Sequence, residues 1–436
     1  MLHIFSSTIT NRLKYSFDLV FNTILRVPYA LITDLSEFEA TLGPKLAYHK
    51  SPVPDCLFVP ATGILFETDI RQQDLSIIDV EGQPAFFGYD HPEASIPFDL
   101  FGLVFYLTSR YEEYLPTKRD EHDRYPASQS LAYQGNFLEL PLVNIHVRLL
   151  RAKLNIRYPD LEVGSSDFRF QPTFDIDYAW TYKHKGLART IGATLRDMLS
   201  GNLKSVKGRI STLTGNQKDP FETYETIFNW HLGLPQLPIF FFLVGKYGKY
   251  DKNISPDILS FRELIKGISQ KYPIGLHPSY GSHINKNHLI KEQETLSSVT
   301  NNQIKMSRQH FLKFRLPETY RQLESIGITH EYSMGYAETV GFRASIATPF
   351  KWFDLDNNRV SEMTIHPFQV MDVTLNQYME LSPKAAIKKI HDLVTTTRNV
   401  GGEFCSLWHN NSLCFEGPWK GWDNVYPELI NACMVE

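Results

Sequence analysis

Four side chains suited to hydrolytic chemistry lie between positions 175 and 409 of the chain, two of them only two positions apart. They are two carboxylates and two imidazoles: Asp175, Asp177, His277 and His409. Neutral imidazole and carboxylate oxygen are good zinc ligands, and a further carboxylate can take a proton from a water that the metal activates. These residue types together predict a hydrolytic metal site, provided that the fold brings them to one place.

Each of these residues stands at the end of a short apolar segment with the character of a strand. The segments are Phe170–Phe174, Ile274–Leu276 and Phe404–Trp408. A fourth segment, Ile239–Val244, is the densest apolar run of the chain, and its six residues are far short of the roughly 20 that span a bilayer. We therefore expect a buried strand there and no transmembrane segment.

Helix signals separate these strands. A capping side chain precedes a proline at Asp219–Pro220, Ser255–Pro256 and Ser382–Pro383, which is typical of the first positions of a helix. Gly401–Gly402 is expected to end the last of these helices before a strand over 403–407. Alternating strands and helices predict an α/β fold with a parallel sheet or a (β/α) barrel, in which functional residues lie at the carboxyl ends of the strands.

The chain is long enough, at 436 residues and 42% hydrophobic, that two domains are the default expectation. Residues 1–160 carry mixed signals, including a helical stretch Phe98–Tyr114 that Pro97 is placed to open, and predict a smaller α+β accessory domain of unknown role. The small, polar segment Leu161–Asp167 marks the expected boundary. Residues 168–436 have the regular strand and helix pattern and form the expected catalytic domain.

Composition narrows the class of protein. A formal net charge of −4 with 21% charged residues lacks the basic excess of nucleic-acid-binding proteins, so we expect no nucleic-acid partner. The four cysteines form no C-x-x-C pair and are too few to staple a chain of this size, which favours reduced thiols. The segment Met1–Leu25 mixes polar and charged residues with apolar ones and has no signal-peptide pattern, so we expect a cytoplasmic protein.

One segment is strongly basic. Residues 183–218 contain eight Lys or Arg and few acidic residues, directly after the pair of aspartates. Such a segment can attract an anionic saccharide or make peripheral contact with a membrane surface. A solvated helical face is the other interpretation.

Several segments resemble the motifs of the polysaccharide deacetylase family, the NodB-homology group. Thr173–Asp177 is similar to the first motif, and the later motifs follow in order at Gly275–Tyr280, Ser307–His310, Gly341–Ala344 and Leu407–Asn410. Over its full length the chain resembles a branch of that family found in Bacteroidota polysaccharide loci, which carries an uncharacterised N-terminal domain. The resemblance implies an irregular seven-stranded barrel and a hydrolase that removes N-acetyl groups from a saccharide or polysaccharide precursor, as in exopolysaccharide biosynthesis.

The resemblance also implies a role for each residue of the set. Asp175 would be the general base, Asp177 and His277 would bind a divalent metal, with zinc as the expected ion, and His409 would be the general acid. An arginine would hold the base in its ionised form.

The chain departs from the family pattern at the third metal ligand. The family places a second histidine four residues after the first, and here that position is Gly281. A catalytic zinc site normally keeps three protein ligands. His310 and His283 are the nearest replacements, and we favour His310 because it follows a strand, whereas His283 lies in a Gly/Ser/Asn-rich turn.

Two further assignments stay open. Arg308 and Arg343 both lie in arginine-containing strand motifs, and the order of the motifs favours Arg308 as the partner of the base. Asp372 lies near a strand end and could accept a hydrogen bond from an arginine or from a catalytic histidine. The last motif has Asn410 where the family commonly has Asp.

The missing second-motif histidine also motivates a different class of function. On that interpretation the protein is a catalytically inactive carbohydrate-binding or assembly protein on a deacetylase scaffold. A third interpretation keeps the metal and makes the protein an esterase or an amidase. Metal content distinguishes the first alternative, and a substrate screen distinguishes the second.

Overall fold

A computed structural model gives the fold of residues 1–435. Their strands form a four-stranded sheet near the N-terminus, a two-stranded hairpin and a nine-stranded sheet that occupies the rest of the chain. The candidate site residues of the sequence all lie on or beside the nine-stranded sheet.

The N-terminal sheet is parallel, in the order β2-β1-β3-β4. Its strands are β1 (Leu2–Phe5), β2 (Tyr29–Ile32), β3 (Lys45–His49) and β4 (Leu57–Pro60), and the hairpin that follows is β5 (Ile78–Val80) and β6 (Gln83–Ala85). The helices of this part are α1 (Asn11–Phe17), α2 (Leu35–Ala40), α3 (Leu100–Thr108), α4 (Leu131–Gln134) and α5 (Leu142–Arg157). Helical segments connect the parallel strands β1 to β2 and β2 to β3, whereas a loop without a helix connects β3 to β4. The α+β character expected of this part stays a prediction.

Helix α3 is shorter than the stretch Phe98–Tyr114 that the apolar spacing predicts. Asp99, and not Pro97, defines its start, because the Asp99 carboxylate accepts a hydrogen bond from the backbone N–H of Gly102. The helix ends where Arg110 adopts a left-handed conformation with φ of 55°. All of α3 is buried, so it is a core helix of the N-terminal part.

The nine-stranded sheet has the order β12-β13-β11-β10-β9-β8-β7-β15-β14. Its strands are β7 (Arg169–Ile176), β8 (Ile239–Leu243), β9 (Ile274–His277), β10 (Met306–Ser307), β11 (His330–Glu331), β12 (Phe350–Asp354), β13 (Arg359–Ile365), β14 (Val370–Met371) and β15 (Glu403–His409). Every neighbouring pair is parallel except β12 with β13. The predicted mixed α/β architecture with a parallel sheet is confirmed.

The finer expectation of a seven-stranded barrel differs from the structure. The sheet has nine strands, since the antiparallel pair β12–β13 extends one edge and β14 adds a strand at the other. Within residues 1–435 the strand pairings leave β12 and β14 as the two ends of the sheet. Closure into a barrel therefore stays an expectation.

Eight helices accompany this sheet: α6 (Leu187–Leu199), α7 (Leu203–Leu213), α8 (Tyr224–Trp230), α9 (Leu259–Ser269), α10 (Lys286–Thr300), α11 (Glu318–Ser325), α12 (Pro383–Val400) and α13 (Val425–Met434). The predicted start and end of α12 are confirmed. Ser382 caps it by accepting from the N–H of Ala385, Pro383 is its first residue, and Gly401 ends it in the left-handed region with φ of 66°.

The other two predicted helix starts are wrong. Helix α8 begins at Tyr224, because the buried carboxylate of Asp219 accepts hydrogen bonds from the loop N–H groups of residues 181–183 instead of capping a helix. Helix α9 begins at Leu259, because the hydroxyl of Ser255 forms a local turn with Asp257. Local hydrogen bonding of this kind competes with helix capping.

One hydrophobic core contains residues of both parts of the chain, among them Leu13, Phe101, Phe174 and Phe353. The division into 1–160 and 168–436 therefore stays a prediction. None of the helices in residues 1–435 has both the length and the apolarity needed to cross a bilayer.

Candidate active site

The carboxyl ends of four adjacent strands, β15, β7, β8 and β9, lie side by side. The register pairs His409 with Asp175 and Leu243 with His277. Strand β10 ends beside β9, and His310 follows three residues later. The parallel arrangement thus brings residues that are more than a hundred positions apart to one edge of the sheet.

Three of these side chains form a candidate metal centre. One ligand atom from each of Asp177, His277 and His310 lies within 4.8 Å of the other two. Nε2 of His277 is 3.2 Å from Oδ1 of Asp177, and Nε2 of His310 is 3.5 Å from Oδ2. One carboxylate and two imidazoles make up the three-ligand set of a catalytic zinc site.

Hydrogen bonds orient both imidazoles toward this centre. Nδ1 of His277 donates to the backbone carbonyl of Arg308 at 2.6 Å, and Nδ1 of His310 donates to Oδ1 of Asp251 at 2.9 Å. Each bond places a proton on Nδ1 and leaves Nε2 as the ligand atom. The two histidines are therefore held in the tautomer and orientation that a metal requires.

The burial and the charge of the Asp177 carboxylate suit a ligand of a cation. Its Oδ1 is buried and has no hydrogen-bond donor among the described residues. Burial favours the protonated form, but His310 and His277 outweigh it and hold the pKa of the carboxyl well below its usual range. Burial also lowers the pKa of His310, but Asp177 and Asp251 outweigh burial and raise it to about 9. The residues present thus fit a divalent metal.

Asp175 lies next to the metal centre and is held by a buried arginine. Oδ2 of Asp175 is 3.7 Å from Nε2 of His277, and Oδ1 accepts from Nη1 of Arg308 at 3.0 Å. Arg308 is completely buried, and it also donates to the hydroxyl of Thr173 and the carbonyl of Tyr332. The buried guanidinium thus fixes the position of the Asp175 carboxylate beside the candidate metal centre.

His409 faces the same pocket from β15. Its Nδ1 donates to Oδ1 of Asp372 at 2.8 Å, and its Nε2 is 3.8 Å from Oδ2 of Asp177. Burial lowers the pKa of His409, but Asp372, aided by Asp177 and Asp175, outweighs burial and raises the pKa to about 10. Asp372 thus binds a histidine of the candidate site, one of the two partners that its position near a strand end suggests.

Two candidates lie outside this cluster. The expectation of Arg343 as a catalytic residue is corrected, because its Nε and Nη2 both bind the buried carboxylate of Glu113, at 2.9 and 2.6 Å. Nδ1 of His283 is 3.1 Å from the carbonyl of Tyr280, and its Nε2 is 3.8 Å from Asp123. Among the described residues, the cluster of possible metal ligands contains His310 and omits His283.

Two residues beside the candidate site, Asp251 and Arg124, were not predicted from the sequence. Asp251, which orients His310, follows β8 by eight residues, so its separation from the strand end conceals it. Arg124 lies in the N-terminal part and reaches the pocket through the tertiary structure alone. Asp251 could have been found by searching the whole loop after β8, whereas no local signal marks Arg124.

The pocket above the cluster is small and has one apolar wall. Its volume is about 150 Å³, room for about five water molecules at roughly 30 Å³ each. Besides the site residues and Arg124, its lining contains Gln309, Phe311, Leu312, Ala337, Met371, Val373, Tyr378 and Leu407. The candidate metal ligands, Asp175 and His409 thus all face one small pocket.

Replacing Asp251 with Asn is expected to weaken metal binding by about 10- to 100-fold, the usual effect of changing a carboxylate that orients a ligating histidine. The amide keeps the shape of the side chain but loses the charge that His310 binds. Competition titration with a chromophoric zinc chelator measures the change. Asp257→Asn, on an exposed turn six residues later, is the matched control and should leave the affinity unaltered. Equal affinity in both variants would contradict the role given to Asp251.

Comparison with protein families gives a match in the N-terminal part of the chain. Residues 2–159 match a family described only as a family of unknown function (DUF7033). A search of curated proteins found no match to the sequence.

Solved structures resemble about three fifths of the chain. A protein of Mycobacterium smegmatis assigned as a polysaccharide deacetylase is 13% identical, with a TM-score of 0.41 over 62% of this chain and 85% of that one. A mutant of a CE4 family pseudoenzyme with restored enzymatic activity is 10% identical, with a TM-score of 0.30 over 61% and 63%. The polysaccharide deacetylase of Bacillus cereus is 11% identical, with a TM-score of 0.29 over 61% and 86%. Because these TM-scores lie below 0.5, the functional proposal rests on the site itself.

Proposed function

We propose that the protein is a metal-dependent hydrolase that removes N-acetyl groups from a saccharide or polysaccharide precursor. The observation that carries this proposal is the grouping of Asp177, His277 and His310 with their ligand atoms within 4.8 Å of one another. Beside this group lie a carboxylate held by an arginine and a histidine held by a carboxylate. Such a set supplies a metal site, a base and an acid.

Asp177, His277 and His310 would hold a divalent metal, with zinc as the expected ion. When bound, the metal supplies a Lewis acid that polarises an acyl carbonyl and makes water more acidic. Asp175 takes the proton from the attacking water through Oδ2, because Arg308 binds Oδ1 and leaves Oδ2 to accept it. The positions of Asp175 and Arg308 therefore support general-base catalysis.

His409 supports the second half of the reaction. Asp372 binds its Nδ1, so the proton to be donated is on Nε2, the nitrogen that faces the pocket. An amide is cleaved only if its leaving amine acquires a proton, whereas the leaving alcohol of an ester departs more readily without one. A histidine kept protonated by Asp372 therefore favours an N-acyl substrate over an ester.

The N-terminal part contributes to the same pocket. Arg124 lines it, with Nε on Asp120 at 2.6 Å and Nη1 3.3 Å from the carbonyl of Phe311, the residue after His310. The guanidinium has further donors for a hydroxyl or carboxylate of the saccharide. We propose that residues 1–160 act in substrate positioning through Arg124.

Metal content and acetate release test the proposed function together. The purified chain should bind about one divalent metal per molecule, and after zinc reconstitution it should release acetate from N-acetylated oligosaccharides. O-acetylated sugars assayed in parallel separate an amidase from an esterase. A chain that binds no metal after reconstitution, yet retains oligosaccharide binding, would instead be the inactive binding protein.

A further inference from the structure

A helical hairpin lies in the connection between the neighbouring strands β7 and β8. It consists of α6 and α7, joined by the turn at residues 200–202, and it begins ten residues after Asp177. It comprises most of the basic segment of the sequence. The hairpin therefore leaves the sheet at the edge that carries the candidate active site.

The outward face of the hairpin is apolar. On α6 the exposed apolar side chains recur every three or four positions, with an adjacent pair at the end, and share one face: Leu187, Ile191, Leu195, Met198 and Leu199. Helix α7 adds Leu203, Ile210 and Leu213. Leu187 and Leu199 are 82% and 90% exposed. Single exposed apolar residues are common, but a continuous apolar face on adjacent helices marks an interaction surface. This apolar face differs from the solvated helical face that was one interpretation of residues 183–218.

Cations surround this apolar face. Residues 183–218 contain eight Lys or Arg and one acidic residue, Asp197. Asp197 is buried and paired with Arg209, so it offers no negative charge to a partner. Arg196, Lys204 and Lys207 are exposed beside the leucines. An apolar helix face bordered by Lys and Arg is typical of helices that lie in the interface of an anionic membrane.

A cavity of about 320 Å³ at the hairpin is lined by four basic residues, Lys185, Arg189, Arg196 and Arg209. Burial, followed by the nearby Arg189, lowers the pKa of Lys185 to about 8. Cations held this close to one another are stabilised by an anion. Asp197 is the acidic residue of this lining and is already paired with Arg209, so phosphate-containing lipid headgroups would complement the other three cations.

The hairpin is tied to the site rather than freely hinged. The guanidinium of Arg189 donates to the backbone carbonyls of Lys252 and Asn253, the residues that follow Asp251. At its base, Asp219 binds the N–H groups of residues 181–183. A surface that binds the hairpin would therefore also lie near the candidate active site.

We propose that the α6–α7 hairpin is a docking surface for a lipid bilayer that carries anionic headgroups. The leucines enter the headgroup region and the surrounding Lys and Arg bind lipid phosphates. This docking does not depend on the hydrolytic function, so each can be tested without the other.

Vesicle sedimentation with the full chain tests the proposal. We expect the protein to sediment with vesicles of phosphatidylcholine and phosphatidylglycerol in equal parts, and not with phosphatidylcholine alone. Lys204→Glu with Lys207→Glu should lower the partition coefficient by about thirtyfold or more, since each basic residue contributes roughly fivefold. Leu187→Gln with Leu199→Gln should abolish sedimentation.

A matched control variant carries Leu42→Gln and Ile156→Gln, two exposed apolar residues of the N-terminal part, and should sediment as the wild type does. Circular dichroism checks that all variants are folded. Sedimentation that is absent, or that the hairpin variants leave unchanged, would overturn the proposal. A dimer in solution that Leu187→Gln with Leu199→Gln dissociates, without vesicle binding, would identify a second copy of the chain as the occupant instead.

Discussion

Replacing Asp175 with Asn is expected to lower kcat by about 10²- to 10⁴-fold while the protein keeps its metal, because this range is typical for the loss of a positioned base. The amide cannot accept the proton of the attacking water. Asp175 is not one of the three grouped metal ligands, so metal binding should persist. Acetate release from an N-acetylated oligosaccharide gives kcat, and elemental analysis gives the metal content.

The matched control for this variant is Asp219→Asn. Asp219 is a buried aspartate that binds backbone N–H groups of a loop, so its replacement tests whether loss of any buried carboxylate lowers activity. The control should retain nearly the full kcat once folded. A rate near that of the wild type for Asp175→Asn would show that another group is the base.

Replacing His277 with Ala is expected to remove the bound metal and, with it, measurable hydrolysis. Two protein ligands remain in place of three, and a catalytic zinc site is normally held by three. His277 also donates to the carbonyl of Arg308, so its loss frees the strand end that carries the arginine. Metal content after dialysis, measured beside activity, gives the result.

His283→Ala is the control for this experiment, because His283 is a buried histidine only six residues away. Its nitrogens lie near Tyr280 and Asp123 and not in the ligand cluster, so the variant should keep its metal. Metal loss in His283→Ala together with retention in His310→Ala would transfer the third ligand from His310 to His283. Loss in neither His277→Ala nor His310→Ala would place the metal elsewhere.

Much of the fold could be predicted from short stretches of the sequence. Strands β7, β8, β9 and β15 follow from apolar runs, and the limits of α12 follow from Ser382–Pro383 and Gly401, because these features need only a few consecutive residues. The wrong predictions of where α8 and α9 begin also came from a few consecutive residues. Asp219 and Ser255 have the sequence of helix caps, but Asp219 binds loop N–H groups that only the folded chain brings near, and Ser255 binds Asp257 in a competing local turn.

Within the candidate site, the four residues at strand ends were recognisable because a parallel sheet aligns its carboxyl ends whatever the distance along the chain. The choice between Arg308 and Arg343 was not recognisable in this way. Both arginines are buried and paired with a carboxylate, Arg308 with Asp175 and Arg343 with Glu113. The sequence does not show which carboxylate each arginine binds, so only the packing distinguishes the two arginines.

The sequence by itself therefore determined the parallel α/β framework and the residue types at the strand ends, including Asp175, Asp177, His277 and His409. The sequence favoured His310 over His283, and the tertiary structure placed His310 in the group of possible metal ligands. The tertiary structure alone decided that Asp251 orients His310 and that Arg124 enters the pocket from the N-terminal part. The physical reason is how far apart in sequence the interacting residues lie. Strand periodicity and helix caps are set by neighbours in sequence, whereas the partners of a side chain at the end of a two-residue strand or in a loop depend on how distant segments pack.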